Sequence, residues 1–94
     1  MSSTNVGKGL PKFFLAELEE IIAANISKSL RQDFATVKMA ATEVALQVET
    51  NTETIKKWYN GANIPSAANL IVLARISPSV RLMVLSLIDD RKLF

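Results

Sequence analysis

Apolar residues recur at helical spacing along most of this chain, and no stretch alternates convincingly at period two. Leu15, Leu18, Ile22, Ile26 and Leu30 follow one another at i, i+3 and i+4, while Glu17, Glu20, Ser27, Lys28 and Arg31 fall on the other side. The spacing predicts an amphipathic helix from Lys12 to about Leu30, with Pro11 suited to its first turn. Glu17, Glu19 and Glu20 come early and Lys28 and Arg31 late, which complements the helix dipole. Thr36 is placed to cap a second helix running through Val37, Met39, Val44 and Val48. Ile55 and Trp58 then define a short helix from Thr52 to Asn60, with Asn51 as its cap. Ser66 caps a fourth helix with Leu70, Leu73 and Ala74 inward. Ser77-Pro78 reads as a cap followed by proline at the first helical position of a fifth, ending near Asp89. The expectation is an all-α bundle of about five helices in a single domain over 11–94, preceded by a flexible segment over 1–10.

The stretch Val44–Gly61 concentrates the functional signal. Two helices joined by a tight turn cross closely, and Ala45 is small enough for that approach. Ile55 and Trp58 face inward, and Gly61 stands where a helix ends in a left-handed residue. Thr52, Glu53, Lys56, Lys57 and Asn60 are left pointing outward. Hydroxyl, carboxylate, ammonium and amide groups on one helix face suit base edges and phosphates.

The order Ala45, Val48, Asn51, Ile55, Trp58, Gly61, with Pro65-Ser66 and Asn69-Leu70 after it, resembles the helix-turn-helix of the lambda-repressor-like (Cro-type, xenobiotic-response-element) family. The resemblance covers roughly Met39 to Leu73. It implies double-stranded DNA as partner, with helix 52–60 lying in the major groove. Carried onto this chain, it makes Asn51, Thr52, Glu53, Thr54, Lys56, Lys57 and Asn60 the DNA-facing set. Thr52, Glu53 and Lys57 are its base readers, and Asn51, Lys56 and Asn60 its phosphate contacts. The chain departs from the family pattern at four positions. Glu49 stands at the turn where glycine is usual, so it needs either a left-handed backbone or a different turn. Thr50 replaces an apolar residue, Ala41 a phosphate-gripping glutamine, and Tyr59 a frequent glutamate.

Composition narrows the alternatives. The chain of 94 residues is 49% hydrophobic and contains neither Cys nor His. A disulfide framework and a thiolate zinc site are excluded, and the commonest general base is missing. The Glu17, Glu19, Glu20 cluster then reads as a solvated helix face rather than acid/base machinery, and Asp89-Asp90 as a surface end. No enzyme, cofactor or metal is expected. Net charge is only +2, which permits nucleic-acid binding without demanding it. No apolar run approaches a membrane span, and Ser2 to Gly9 is too polar for a signal core, so a cytoplasmic, nucleoid-associated protein is expected. Lys8 and Lys12 are read as a plain terminus in preference to a DNA-reaching arm.

The last helix is apolar on nearly every side, through Val80, Leu82, Met83, Val84, Leu85, Leu87 and Ile88, with Leu93 and Phe94 beyond. More apolar surface than one stripe suggests an interface, assigned to Val80, Met83, Val84, Leu87 and Phe94, in preference to the other reading, that the long first helix covers this surface. Its occupant is a second copy, giving a small bacterial or phage-type transcriptional regulator that binds as a dimer. The alternative is a partner regulatory protein, captured by an antiactivator-like module that keeps the fold and does not bind DNA.

Overall fold

The structure, a computed structural model, describes residues 14–89. Five helices and no strand occur among these residues: α1 Phe14–Asp33, α2 Val37–Ala45, α3 Thr52–Tyr59, α4 Ala67–Ile76 and α5 Pro78–Ile88. They form an all-α bundle in which α2 packs on α3, α1 packs on both α3 and α5, and α4 packs on α5. The predicted segment 1–10, with Lys8 and Lys12, lies outside the described residues.

The core is one cluster. Ile26 and Leu30 of α1, Ala40 and Val44 of α2, Ile55 and Trp58 of α3, Leu73 of α4 and Val80 of α5 are all essentially inaccessible to water. In α1 the fully buried positions begin only at Ile26, while Leu18 and Ile22 are half-buried and Leu15 is 68% exposed. Leu15, expected inward, is therefore corrected. Its helix has 20 residues, about 30 Å of rise, and the shorter α3 and α5 cover only its C-terminal part. The helix also runs three residues past the expected end, to Asp33.

The four expected cap residues are all in place. Thr36, Asn51, Ser66 and Ser77 have extended backbones, and their side chains accept from Met39 N, Thr54 N, Asn69 N and Val80 N. Each satisfies one backbone donor that the helix itself leaves unpaired. In α2 the buried stripe is Ala40, Ala41 and Val44. Met39 sits about 100° off that stripe and is half exposed. The helix stops at Ala45, but Val48 in the following turn is still buried, its N–H donating to Val44 O at 2.8 Å. Glu49 takes the second of its two options. No non-glycine residue among those described has a positive φ, and Thr50 N donates to Val48 O at 2.8 Å. That closes a three-residue turn around Glu49 with no left-handed backbone, the inverse γ form.

Ser77 serves two helices. Its N–H closes α4 on Leu73 O, and its hydroxyl accepts from Val80 N to open α5. The same hydroxyl donates to Asp33 Oδ2 at the end of α1. Ser79 donates to that carboxylate twice, from its N–H at 3.0 Å and from its Oγ at 2.6 Å. Asp33 thus sits at the N-terminus of α5, where amide donors and the helix dipole favour an anion. Partial burial pushes its carboxyl up, but the bonds from Ser77 and Ser79 outweigh this and hold it below its ordinary value of 3.8.

A carboxyl with a lowered folded-state pKa stabilises the fold above its unfolded value, and that contribution disappears as pH falls through the folded value. Asp33→Asn is expected to lower the melting temperature at neutral pH. The gap between variant and parent should close as pH falls below about 3.9. Thermal unfolding followed by circular dichroism across that range checks both, and a gap independent of pH contradicts the role given to the charge.

Candidate nucleic-acid interface

The placement of α3 begins with two buried side chains. Ile55 is 0% and Trp58 1% exposed, three residues apart on the face that meets α2 and α1. Their burial fixes the rotation of the helix, and so decides which side chains look out. Among the described residues the Trp58 indole Nε1 finds no hydrogen-bond partner. An unpaired buried donor costs about 1–3 kcal/mol, so the apolar ring surface, not its polar edge, makes Trp58 a net anchor.

Both ends of α3 are closed. At the start, Asn51 Oδ1 accepts from Thr54 N at 2.8 Å. At the end, Gly61 N donates to Trp58 O at 3.2 Å and Ala62 N to Lys57 O at 2.8 Å. Gly61 has φ +74°. This is a Schellman motif with glycine at the left-handed position. A Cβ there would stand 3.5 Å from Ser27 Cβ, an ordinary contact, so backbone conformation rather than crowding calls for glycine.

Of the expected DNA-facing set, Asn51, Thr52, Glu53, Lys57 and Asn60 are exposed, while Thr54 and Lys56 are half-buried. They share the outer side of one capped helix. Lys56 Nζ pairs with Glu53 Oε2 at 3.2 Å across one turn. Such an exposed pair contributes only about 0.2–0.5 kcal/mol, yet it shields one of the two ammonium groups on this face. Among the described residues Lys57 has no carboxylate within ion-pair distance.

Two neighbours were not singled out in the sequence. Lys38 and Thr42 of α2 line a groove with Val37, Ala41, Thr52 and Lys56, about 340 Å³ in volume. Their signal was their i, i+4 spacing on the side of α2 away from Val44. Ala41, where the family pattern carries glutamine, is 4% exposed and forms part of the α2 packing face.

The opposite end of α3 is tied to α1. Ser27 and Arg31, expected on the solvated side of α1, lie against the last turn of α3. Ser27 Oγ donates to Tyr59 O at 2.5 Å, and Arg31 Nε donates to Ser27 Oγ at 3.3 Å. Arg31 Nη2 donates to Asn60 Oδ1 at 2.9 Å, and the guanidinium carbon stands 4.5 Å from the Tyr59 ring centroid. Tyr59 is itself buried, its hydroxyl donating to Phe34 O at 3.1 Å.

The expected interface residues of α5 are redistributed by packing. Val80 is fully buried in the chain's own core, and Met83 and Val84 are half-buried against it. Leu87 is half-buried as well, and Phe94 lies outside the described residues. The exposed apolar stripe is Leu82 at 68%, Leu85 at 53% and Ile88 at 76%. Val80 is corrected, and Met83 and Val84 keep only part of their surface, for a simple reason: α1 and α4 both pack on α5 and take the face those residues share.

Among the described residues no group of acidic side chains is arranged to hold a metal ion, and no helix is long and apolar enough to cross a membrane. No family model, curated protein or solved structure matches the chain.

Proposed function

We propose that this chain is a small sequence-specific DNA-binding transcriptional regulator of bacterial or phage type, resembling the lambda-repressor-like family, that reads the major groove with α3 as a dimer. The observation that carries the reading is α3 itself: capped at both ends, anchored by Ile55 and Trp58, and presenting Thr52, Glu53, Lys57 and Asn60 to solvent. Its 8 residues span about 12 Å, close to the roughly 12 Å width of the B-DNA major groove. Glu53 has the chemistry to accept from a cytosine amino group, and Lys57 to donate to guanine. Lys38, Asn51, Thr42 and Lys56 supply charge and donors for the flanking phosphates. The pairing of Glu53 with Lys56 favours base discrimination over general affinity, since a carboxylate on this face repels phosphate.

The exposed stripe on α5 supports self-association. Leu82, Leu85 and Ile88 are evenly spaced about Leu85. In an antiparallel helix pair centred there, Leu82 meets the partner subunit's Ile88 and Leu85 meets the partner subunit's Leu85. One two-fold axis then satisfies the apolar positions of both copies, and it pairs two copies of α3 for a palindromic site. The same stripe is what favours the second reading, an antiactivator-like module that captures a partner regulator and leaves DNA unbound.

DNA selection on the purified protein, followed by titration of the preferred duplex across salt, tests the reading. Binding is expected to weaken steeply as salt rises. Lys57→Ala should relax preference at one or two base pairs, whereas Lys56→Ala should weaken all sequences alike and make the salt slope shallower. Selection that enriches no sequence, with both variants indistinguishable from the parent, removes α3 from the groove.

Assembly has its own test. Replacing Leu82 and Leu85 with Glu is expected to give a folded monomer, with weaker operator binding, in sedimentation analysis. A parent protein that is monomeric at high micromolar concentration rules out the dimer.

A further inference from the structure

We propose that Arg31 and Asn60 together form a phosphate-binding site at the C-terminal end of α3, whose ligand is a phosphodiester of the duplex backbone. The inference rests on the reading that α3 enters the major groove, and it brings α1 into the DNA-binding surface.

The donors and acceptors of this cluster do not balance. Arg31 Nη2 donates to Asn60 Oδ1 at 2.9 Å, which turns the amide so that its oxygen faces the guanidinium. The Asn60 Nδ2 group, with two N–H donors, is left for another partner. Ser27 Oγ receives Arg31 Nε at 3.3 Å and gives its own proton to Tyr59 O at 2.5 Å. The side-chain acceptors of Asn60 and Ser27 are therefore engaged within the cluster. What remains is an Nη1 group, the second N–H of Nη2 and the amide NH2, all donors. Both Arg31 and Asn60 are exposed. A ligand for this surface must bring acceptor oxygens and, beside a guanidinium, negative charge.

Among the described residues no carboxylate lies within ion-pair distance of Arg31. The group is also held still. The Tyr59 ring supports one guanidinium face with 4.5 Å between its carbon and the centroid, and Tyr59 is fixed by its bond to Phe34 O. A rigidly held planar fork loses less freedom on binding than a free lysine would. A purely structural staple would be complete with the Nε and Nη2 contacts, and the outward half of the fork has no use in it.

Position supports the same ligand. Lys38, Thr42 and Asn51 lie at the N-terminal end of α3, and Arg31 and Asn60 at its C-terminal end. A helix that crosses the groove with phosphate donors at both ends meets the two backbones that wall it.

The test is fluorescence anisotropy of a labelled duplex, selected on the parent protein, across salt concentrations. Arg31→Ala is expected to weaken binding uniformly across sequences and to reduce the magnitude of the slope of log affinity on log salt by about 0.9. Arg31→Lys keeps the charge and should keep the slope. Asn60→Asp preserves the contact with Arg31, and so the fold, but turns outward donors into a carboxylate. It should weaken binding without lowering the melting temperature. If Arg31→Ala lowers only the melting temperature and leaves the slope intact, or if Asn60→Asp binds like the parent, the site is a staple and the proposal is overturned while groove binding stands. If the parent itself shows no salt-dependent duplex binding, the DNA reading fails and this site falls with it.

Discussion

Everything on the outer face of this domain depends on the burial of Ile55 and Trp58. A helix of 8 residues is too short to hold itself together in water, where isolated helices below about 12–15 residues are marginal. It exists because its apolar side is packed against α2 and α1, and because Asn51 and the Gly61 turn close its ends. That burial sets the rotation of α3. Turning the helix by one residue would send Trp58 to solvent and bring Lys57 inside, which no partner among the described residues would compensate.

The supports of α3 act at its two ends. The three-residue turn at Glu49 joins it to α2, while Ser27, Arg31 and Phe34 hold its last turn to the end of α1. The end of α1 is in turn clasped to α5, where Asp33 receives Ser77 and Ser79. Two sets of polar contacts at the α1 terminus thus tie it to α3 on one side and, on the other, to α5, the helix carrying the exposed apolar stripe. If α5 pairs two copies, directed hydrogen bonds at the α1 terminus act together with the shared apolar core to fix each α3 relative to the pair.

The parts of this arrangement that were legible in the sequence are those whose chemistry is local. The caps Thr36, Asn51, Ser66 and Ser77 each act on an N–H three residues on, and Gly61 acts on its own backbone. Ile55 and Trp58 declare their face through one helical interval. The clasp of Asp33 on Ser79, 46 residues apart, and the pairing of Arg31 with Asn60, 29 apart, have no local signal. Both follow from how helices dock, and Ser27 and Arg31 were read as solvated for that reason. Periodicity places Leu15 inward because it gives a face but not the extent of what covers it. On α5 the failure is sharper. A helix apolar all round has no preferred face in its own sequence, so only the packing of α1 and α4 separates buried Val80 from exposed Leu82, Leu85 and Ile88.

The central claim is that the outer face of α3 meets duplex DNA. Backbone amide shifts of isotope-labelled protein, followed by nuclear magnetic resonance while the selected duplex is added, address it most directly. The account predicts that the shifts cluster at Asn51 to Gly61, with Lys38, Thr42 and Arg31 joining them, while the Leu73 and Val80 core stays still. Shifts confined to α5, or none at a saturating excess of DNA, would contradict it.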